Sequence, residues 1–310
     1  MRKDTTKESH TQVWSVCGGK GGVGKTFLSA NLGILLADEK GDVTVVDADL
    51  GTPNLHTHLG VRKPKHSLGD FVYRRVPKLT DIVEPTSIPK LRFVPGSKND
   101  LFTANLKYGQ KRRLINQIQR LEGSHVVLDL AAGADFNTLD FLRESDIGII
   151  VANPDPASVE SAYDFLRATV LRVLEFRVRA LRNTGQLLEV TSARHGGPRS
   201  IRELLQEVRS KDSEFATLLA GELERLRLFL VINRAKGEAA EVLGRMMVDA
   251  VNEWIEVQLH FLGAVPYDPA VEETLCGFEP YVLANPNSRT SYSLRLIAGR
   301  LLAATNGNHT

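Results

Sequence analysis

Short apolar runs alternate with longer segments of helical period along most of the 310 residues. The runs VWSVC (13–17), VTVVDAD (43–49), LRFVPG (91–96), HVVLDL (125–130), DIGIIVANP (146–154), LFLVINR (228–234) and FLGAVP (261–266) are β-branched and nearly unbroken in hydrophobicity. A strand that buries one face alternates apolar and polar residues, whereas an unbroken run belongs to a strand covered on both faces. Helix-period stretches follow several of these runs: TFLSANLGILLADEKG, with Gly41 placed to cap it, KRRLINQIQRLEG, and SVESAYDFLRATVLRVLEF. This alternation predicts an α/β fold, a doubly wound and mainly parallel sheet with helices on both faces.

One region breaks the rhythm. About seventy residues separate the run ending at Pro154 from the one opening at Leu228, yet a parallel crossover needs only about a dozen. The excess predicts a helical insertion near 170–225, with helices on either side of the polar link GQLLEVTSARHGGPRS. The remainder, 13–304, is expected to form a single domain, with a flexible N-terminus over 1–12 and a frayed tail over 305–310.

Composition adds exclusions. A net charge of +2 with 42% hydrophobic residues is ordinary for a globular protein and is no nucleic-acid footprint by itself. Cys17 and Cys276 offer neither a disulfide framework nor paired metal-ligand spacing, which favours a reducing compartment. MRKDTTKESH lacks the apolar core of a signal peptide, and no run approaches the length of a bilayer span. A cytoplasmic protein is expected.

The chemistry concentrates in one loop. Gly19-Lys20-Gly21-Gly22-Val23-Gly24-Lys25-Thr26, followed by Phe27, fits G-x-x-x-x-G-K-[ST] between a predicted strand and a predicted helix. Glycines there let backbone N–H groups turn around phosphate oxygens at a helix N-terminus. Lys25 is expected to reach the β- and γ-phosphates of a nucleotide, and the Thr26 hydroxyl to ligate Mg²⁺. Asp129 ends the HVVLDL run, at the strand edge where α/β sheets bind ligands, and can hold the magnesium shell. Asp47 and Asp49 end another run two residues apart, and so share a face. Paired carboxylates near a γ-phosphate can position water and bind magnesium.

With these residues assembled, the sequence resembles the MinD/ParA family of deviant P-loop ATPases, and so implies a P-loop NTPase fold. The resemblance rests on KGGVGKT (20–26), DADLGTPN (47–54), DLAAG (129–133), PDPASVESAY (154–163), VINR (231–234) and GAVPYD (263–268). The pattern is closest to MinD and to the flagellar-number regulators FlhG and FleN. It implies binding of ATP and Mg²⁺, slow hydrolysis, and an ATP-dependent homodimer that acts as a switch with an activator or cargo protein. Lys20 matches the signature lysine that reaches the partner's phosphates, and Asp49 the residue that orients water, with Asp47 beside it. Asn233 matches the side chain that recognises adenine, with Arg234 next to it.

Departures are as informative. MinD carries a basic amphipathic C-terminal helix that binds membrane. Here the stretch from Tyr292 to Ala304 has only Arg295 and Arg300 as basic residues and reads as a last packing helix. Peripheral contact with the inner membrane face stays open. Residues 1–12 lack the DQAxxLR-like activator motif of FlhG. Arg172, Arg177, Arg179 and Arg182 cluster in the insertion, where nearby acids favour a salt-bridged helical face over a surface for DNA. His56 and His58 lack a third ligand and read as packing or surface residues. A DNA-partition ATPase is the alternative function. A metal-cluster scaffold and a tyrosine autokinase are disfavoured by the isolated cysteines and by a tail without a tyrosine cluster.

Overall fold

A computed structural model describes residues 11–97, 106–180 and 200–306. Its centre is an eight-stranded sheet: β1 (Gln12–Cys17), β2 (Val43–Ala48), β3 (Glu84–Pro85), β4 (Leu91–Val94), β5 (His125–Leu130), β6 (Ile147–Ala152), β7 (Leu228–Ala235) and β8 (Leu259–Pro266). The spatial order is β3-β4-β2-β5-β1-β6-β7-β8. Every pairing is parallel except that of β3 with β4. That edge strand is two residues long, too short to leave a periodic signal in the sequence, and it was not foreseen.

The helices, in chain order, are α1 (Lys25–Lys40), α2 (Leu55–His58), α3 (Leu68–Val72), α4 (Tyr108–Ile118), α5 (Phe136–Arg143), α6 (Pro156–Ala180), α7 (Ile201–Lys211), α8 (Ser213–Glu224), α9 (Ala239–Trp254), α10 (Ala270–Gly277), α11 (Tyr281–Ala284) and α12 (Arg289–Asn306). Two apolar cores lie on opposite faces of the sheet. One packs Trp14 and Val16 of β1 with α1 and with Leu294, Ile297 and Leu301 of α12. The other packs Val13 and Cys17 with α4 to α8 and part of α9. Consecutive β1 residues thus feed different cores, which is why the strand reads as one apolar run.

The insertion extends the second core. α6 continues unbroken to Ala180, and its Val173, Leu174 and Val178 share that core with Leu204, Val208, Phe215 and Leu219. α7 starts at a capping box in which the Ser200 hydroxyl accepts from Glu203 N and the Glu203 carboxylate accepts from Ser200 N. The link at 185–199 and Arg182 lie outside the described residues.

Both chain ends differ from expectation by a few residues. Thr11 is buried and its hydroxyl donates to the Leu121 and Gly123 carbonyls, so packing starts before residue 13. α12 runs past residue 304 to Asn306, and Thr305 is buried with its hydroxyl on the Leu302 carbonyl. The C-terminal stretch is a packing helix: Ser291, Leu294, Ile297, Ala298 and Leu301 are buried against the sheet.

Candidate nucleotide site

The ends of β1, β2, β5 and β7 converge on a cavity of about 320 Å³. Gly21, Gly22, Gly24, Lys25, Thr26 and Phe27 line one side, with Asp49, Thr52 and Asn54 on another and Asn233, Arg234 and Tyr267 opposite. Two glycines fix the loop. A Cβ on Gly19 would lie 1.9 Å from the Ser161 carbonyl, so the loop can lean on α6 only without a side chain. Gly24 has φ +96, and its Cβ would lie 2.0 Å from Asn233 Nδ2. Helix α1 then opens at Lys25 with no side-chain cap, and its first residues Lys25, Thr26 and Phe27 line the cavity.

Lys25 is buried, with Nζ 3.5 Å from the Lys20 carbonyl. Burial lowers its pKa, an effect opposed by the charges of Asp129 and Asp49. Lys20 points elsewhere: its Nζ sits 3.2 Å from the Asp155 carboxylate at the start of α6. Asp155 is held below the ordinary carboxylate range, first by the Ser158 backbone N–H and then by Lys20.

The carboxylates divide into two environments. Asp47 and Asp129 are buried and stand in register on neighbouring strands. Burial pushes Asp129 up to about 6, opposed by the hydroxyls of Thr26 and Ser29, the latter 3.0 Å away. Asp47 is also pushed well up, by burial and then by Asp129. It accepts hydrogen bonds from Leu55 N at 3.0 Å and Asp49 N at 3.3 Å. Asp49 lies past the strand end in a turn, where one oxygen accepts from Gly51 N and Thr52 N at 2.9 Å. That turn aims it at the cavity.

These residues fit a divalent cation. Asp129 Oδ2 is buried with no hydrogen-bond partner among the described residues, beside a second buried carboxylate. Two acids in such a place are stabilised when a cation shares them. Thr26, Asp47 and Asp129 are the groups that would hold it. Among the described residues no group of three or more His, Cys, Asp or Glu is placed to hold a metal ion, here or at His56 and His58, so a cation at this site would rest on two carboxylates and a hydroxyl.

On the opposite wall, Asn233 and Arg234 fall where the β7–β8 register slips. Arg234 takes a left-handed backbone at φ 54, which re-aims this pair toward the cavity. Asn233 Nδ2 donates to the Val23 carbonyl at 2.8 Å and braces the loop. Among the described residues its Oδ1 accepts no hydrogen bond.

Two residues beside the cavity take places that the sequence did not assign them: His58, read there as a packing or surface residue, and Tyr281, not singled out. His58 lies edge-on to Phe27, with ring centres 6.4 Å apart, and burial lowers its pKa to about 4. Tyr281 meets the other side of Phe27 at 5.3 Å and donates its hydroxyl to Asp268 in the GAVPYD segment. Thr52 and Asn54, Ala132, and Pro266, Tyr267 and Asp268 carried a signal only as members of the quoted segments DADLGTPN, DLAAG and GAVPYD. Cys17, also near the loop, is fully buried with its thiol on the Ile149 carbonyl, and burial drives its pKa far up. It is chemically silent.

A model of the CobQ/CobB/MinD/ParA nucleotide binding domain matches residues 14–280. The chain belongs to this family and is a P-loop ATPase of the MinD/ParA class. Antiactivator FleN of Pseudomonas aeruginosa is 24% identical over 294 residues, which cover 94% of this chain and 86% of that protein. The flagellum site-determining protein YlxH of Helicobacter pylori is 34% identical over 161 residues, 50% of this chain and 53% of that one. Among solved structures, the cell division ATPase MinD of Pyrococcus furiosus has a TM-score of 0.62 at 21% identity, covering 94% of this chain and 99% of that chain. The septum site-determining protein MinD of Pyrococcus horikoshii, complexed with Mg-ADP, gives 0.63 at 20%, covering 94% and 96%. These two likenesses establish the fold.

Proposed function

We propose that this chain is a nucleotide-gated switch that dimerises on ATP and magnesium, hydrolyses ATP slowly, and regulates a cellular structure through a partner protein. The observation that carries this reading is Lys20. One subunit binding phosphate is served by Lys25 in the loop. The surplus ammonium instead sits at the surface, 37% exposed, on an acid that is 44% exposed. A surface pair of this kind is weak, so Lys20 can leave Asp155 for the phosphates of a nucleotide held by a second copy.

The chemistry asked of the chain is positioning and charge stabilisation. Lys25 and the loop N–H groups cradle the phosphates, and Asp49 orients the attacking water. Thr26, Asp47 and Asp129 hold the magnesium, which supplies positive charge against the phosphate oxygens. Asn233 reads the base.

Support for a flagellar output comes from YlxH, a flagellum site-determining protein 34% identical over half of this chain, above the 30% of the septum site-determining MinD of Synechocystis over a similar share. A DNA-binding output has less support: Arg172, Arg177 and Arg179 are each engaged by carboxylates.

Light scattering on size-exclusion fractions with and without Mg-ATP tests the switch. Asp49→Ala is expected to accumulate a dimer with ATP, and Lys20→Ala to stay monomeric. A Lys20→Ala protein that dimerises with ATP as wild type does would overturn the reading.

A further inference from the structure

A second groove, of about 660 Å³, runs between α4, α5 and α6 and shares no lining residue with the nucleotide cavity. Two exposed aromatic rings line it, Tyr108 at 69% and Phe176 at 42% exposure. Arg112, Arg143, Arg172 and Arg179 line it too. Arg172 is committed to Asp140 and Glu175, and Arg179 to Glu175. The other two are not fully used. Arg112 is exposed and makes no ion pair among the described residues. Arg143 bonds Glu144 through Nη2 and stacks under Phe176, its guanidinium carbon 3.3 Å from the ring centre. Its Nε and Nη1 are buried with no acceptor among the described residues.

A buried donor without an acceptor is costly, and native structures rarely tolerate one for nothing. Exposed aromatic rings beside guanidinium groups are the composition that protein interfaces concentrate. We propose that this groove docks an acidic peptide segment of a partner protein. Its carboxylates pair with Arg112 and, as the Phe176 ring gives way, with Arg143. An apolar side chain of the same segment rests on Tyr108 and Phe176.

Charge selects this occupant. A phosphodiester backbone would meet Asp140 and Glu144 in the same wall, whereas a peptide can set its acids over the arginines alone. The chain's own residues 181–199 carry Arg182, Arg194 and Arg199 against Glu189, the wrong sign for this groove. The inference is independent of the nucleotide switch.

The test is a display library of short random peptides panned against the full chain without nucleotide. Recovered peptides are then measured by fluorescence anisotropy on wild type, Arg112→Glu and Phe176→Ala. Both positions are exposed, so the variants are expected to fold and to keep basal ATPase activity. Acidic peptides with an aromatic or aliphatic residue should be enriched, and lose roughly tenfold or more in affinity on Arg112→Glu. Phe176→Ala should weaken them as well, and Arg112→Lys should restore part of the loss. A library with no acidic consensus overturns the proposal, as do hits that bind both variants as tightly as wild type. So does occupation of the groove by a synthetic 181–199 peptide or by a DNA oligonucleotide in place of acidic peptides.

Discussion

At the scale of single residues, the two lysines of the loop differ in what they touch. Lys25 is buried among Asp129, Asp49 and the loop carbonyls, while Lys20 is parked on Asp155. If that pairing holds Lys20 back, removing the acid should release it. Asp155→Ala is expected to shift ATP-dependent dimerisation to lower protein concentration, by less than about fivefold because the pair is exposed. Sedimentation equilibrium at fixed Mg-ATP measures this shift, and an unchanged or weakened dimer would show that Asp155 is no brake. Gly24 offers a sharper test. Its left-handed backbone and its approach to Asn233 both exclude a side chain. Gly24→Ala should therefore weaken nucleotide binding by roughly tenfold or more, with Asn233 and the loop displaced together. Titration with a fluorescent ATP analogue reads this out, and near-native affinity would mean that the loop adapts.

At the scale of elements, one buried carboxylate ties three helices together. Asp140 of α5 accepts from Lys111 of α4 at 2.6 Å and from Arg172 of α6 at 2.7 and 3.0 Å. Burial works to raise its pKa, but Arg172 and then Lys111 overcome this and hold it below the usual range. Asp140→Asn leaves two cations facing a neutral amide in a largely buried place, and should cost about 3–5 kcal/mol of stability. Urea unfolding checks the loss, while ATP affinity of the folded fraction should be unchanged because the cluster lies outside the nucleotide cavity. A loss under about 1 kcal/mol would mean that water has replaced the acid as partner. The same cluster marks the limit of reading elements from sequence. The run of arginines and the nearby acids were visible, and the expectation of a salt-bridged face follows from them. That Arg172 is half-buried, and reaches back to an acid in α5, depends on how α6 lies across the sheet. No local periodicity encodes that. Strands longer than three residues were legible because both faces are apolar, whereas the two-residue β3 owes its existence to β4.

At the scale of the whole molecule, the phosphate side of the site was legible because its residues fall in short strand-to-helix segments whose spacing is itself the signal. The opposite wall was not. Tyr281, Asp268 and Phe27 meet only because α11 packs on α1, where Val282 N donates to Asn31 Oδ1 at 3.0 Å. Global stability has a similarly hidden determinant in His125, which opens β5 next to Trp14 with ring centres 4.8 Å apart. The residue is only 6% exposed. Burial, with help from Lys40 and against Asp146, lowers its pKa from 6.5 to about 4. The unfolded chain therefore takes up a proton near 6.5 that the folded chain refuses until about 4. Stability from the neutral ring is complete above the upper value, drains as pH falls between the two, and is flat below the lower one. By pH 5 the loss from this one group should reach up to about 2 kcal/mol. Other titrating groups contribute equally to wild type and to His125→Gln, so the difference between the two isolates the ring. Urea midpoints at pH 7 and pH 5 should fall less for the variant, and equal falls would show that His125 is protonated without cost in the folded protein.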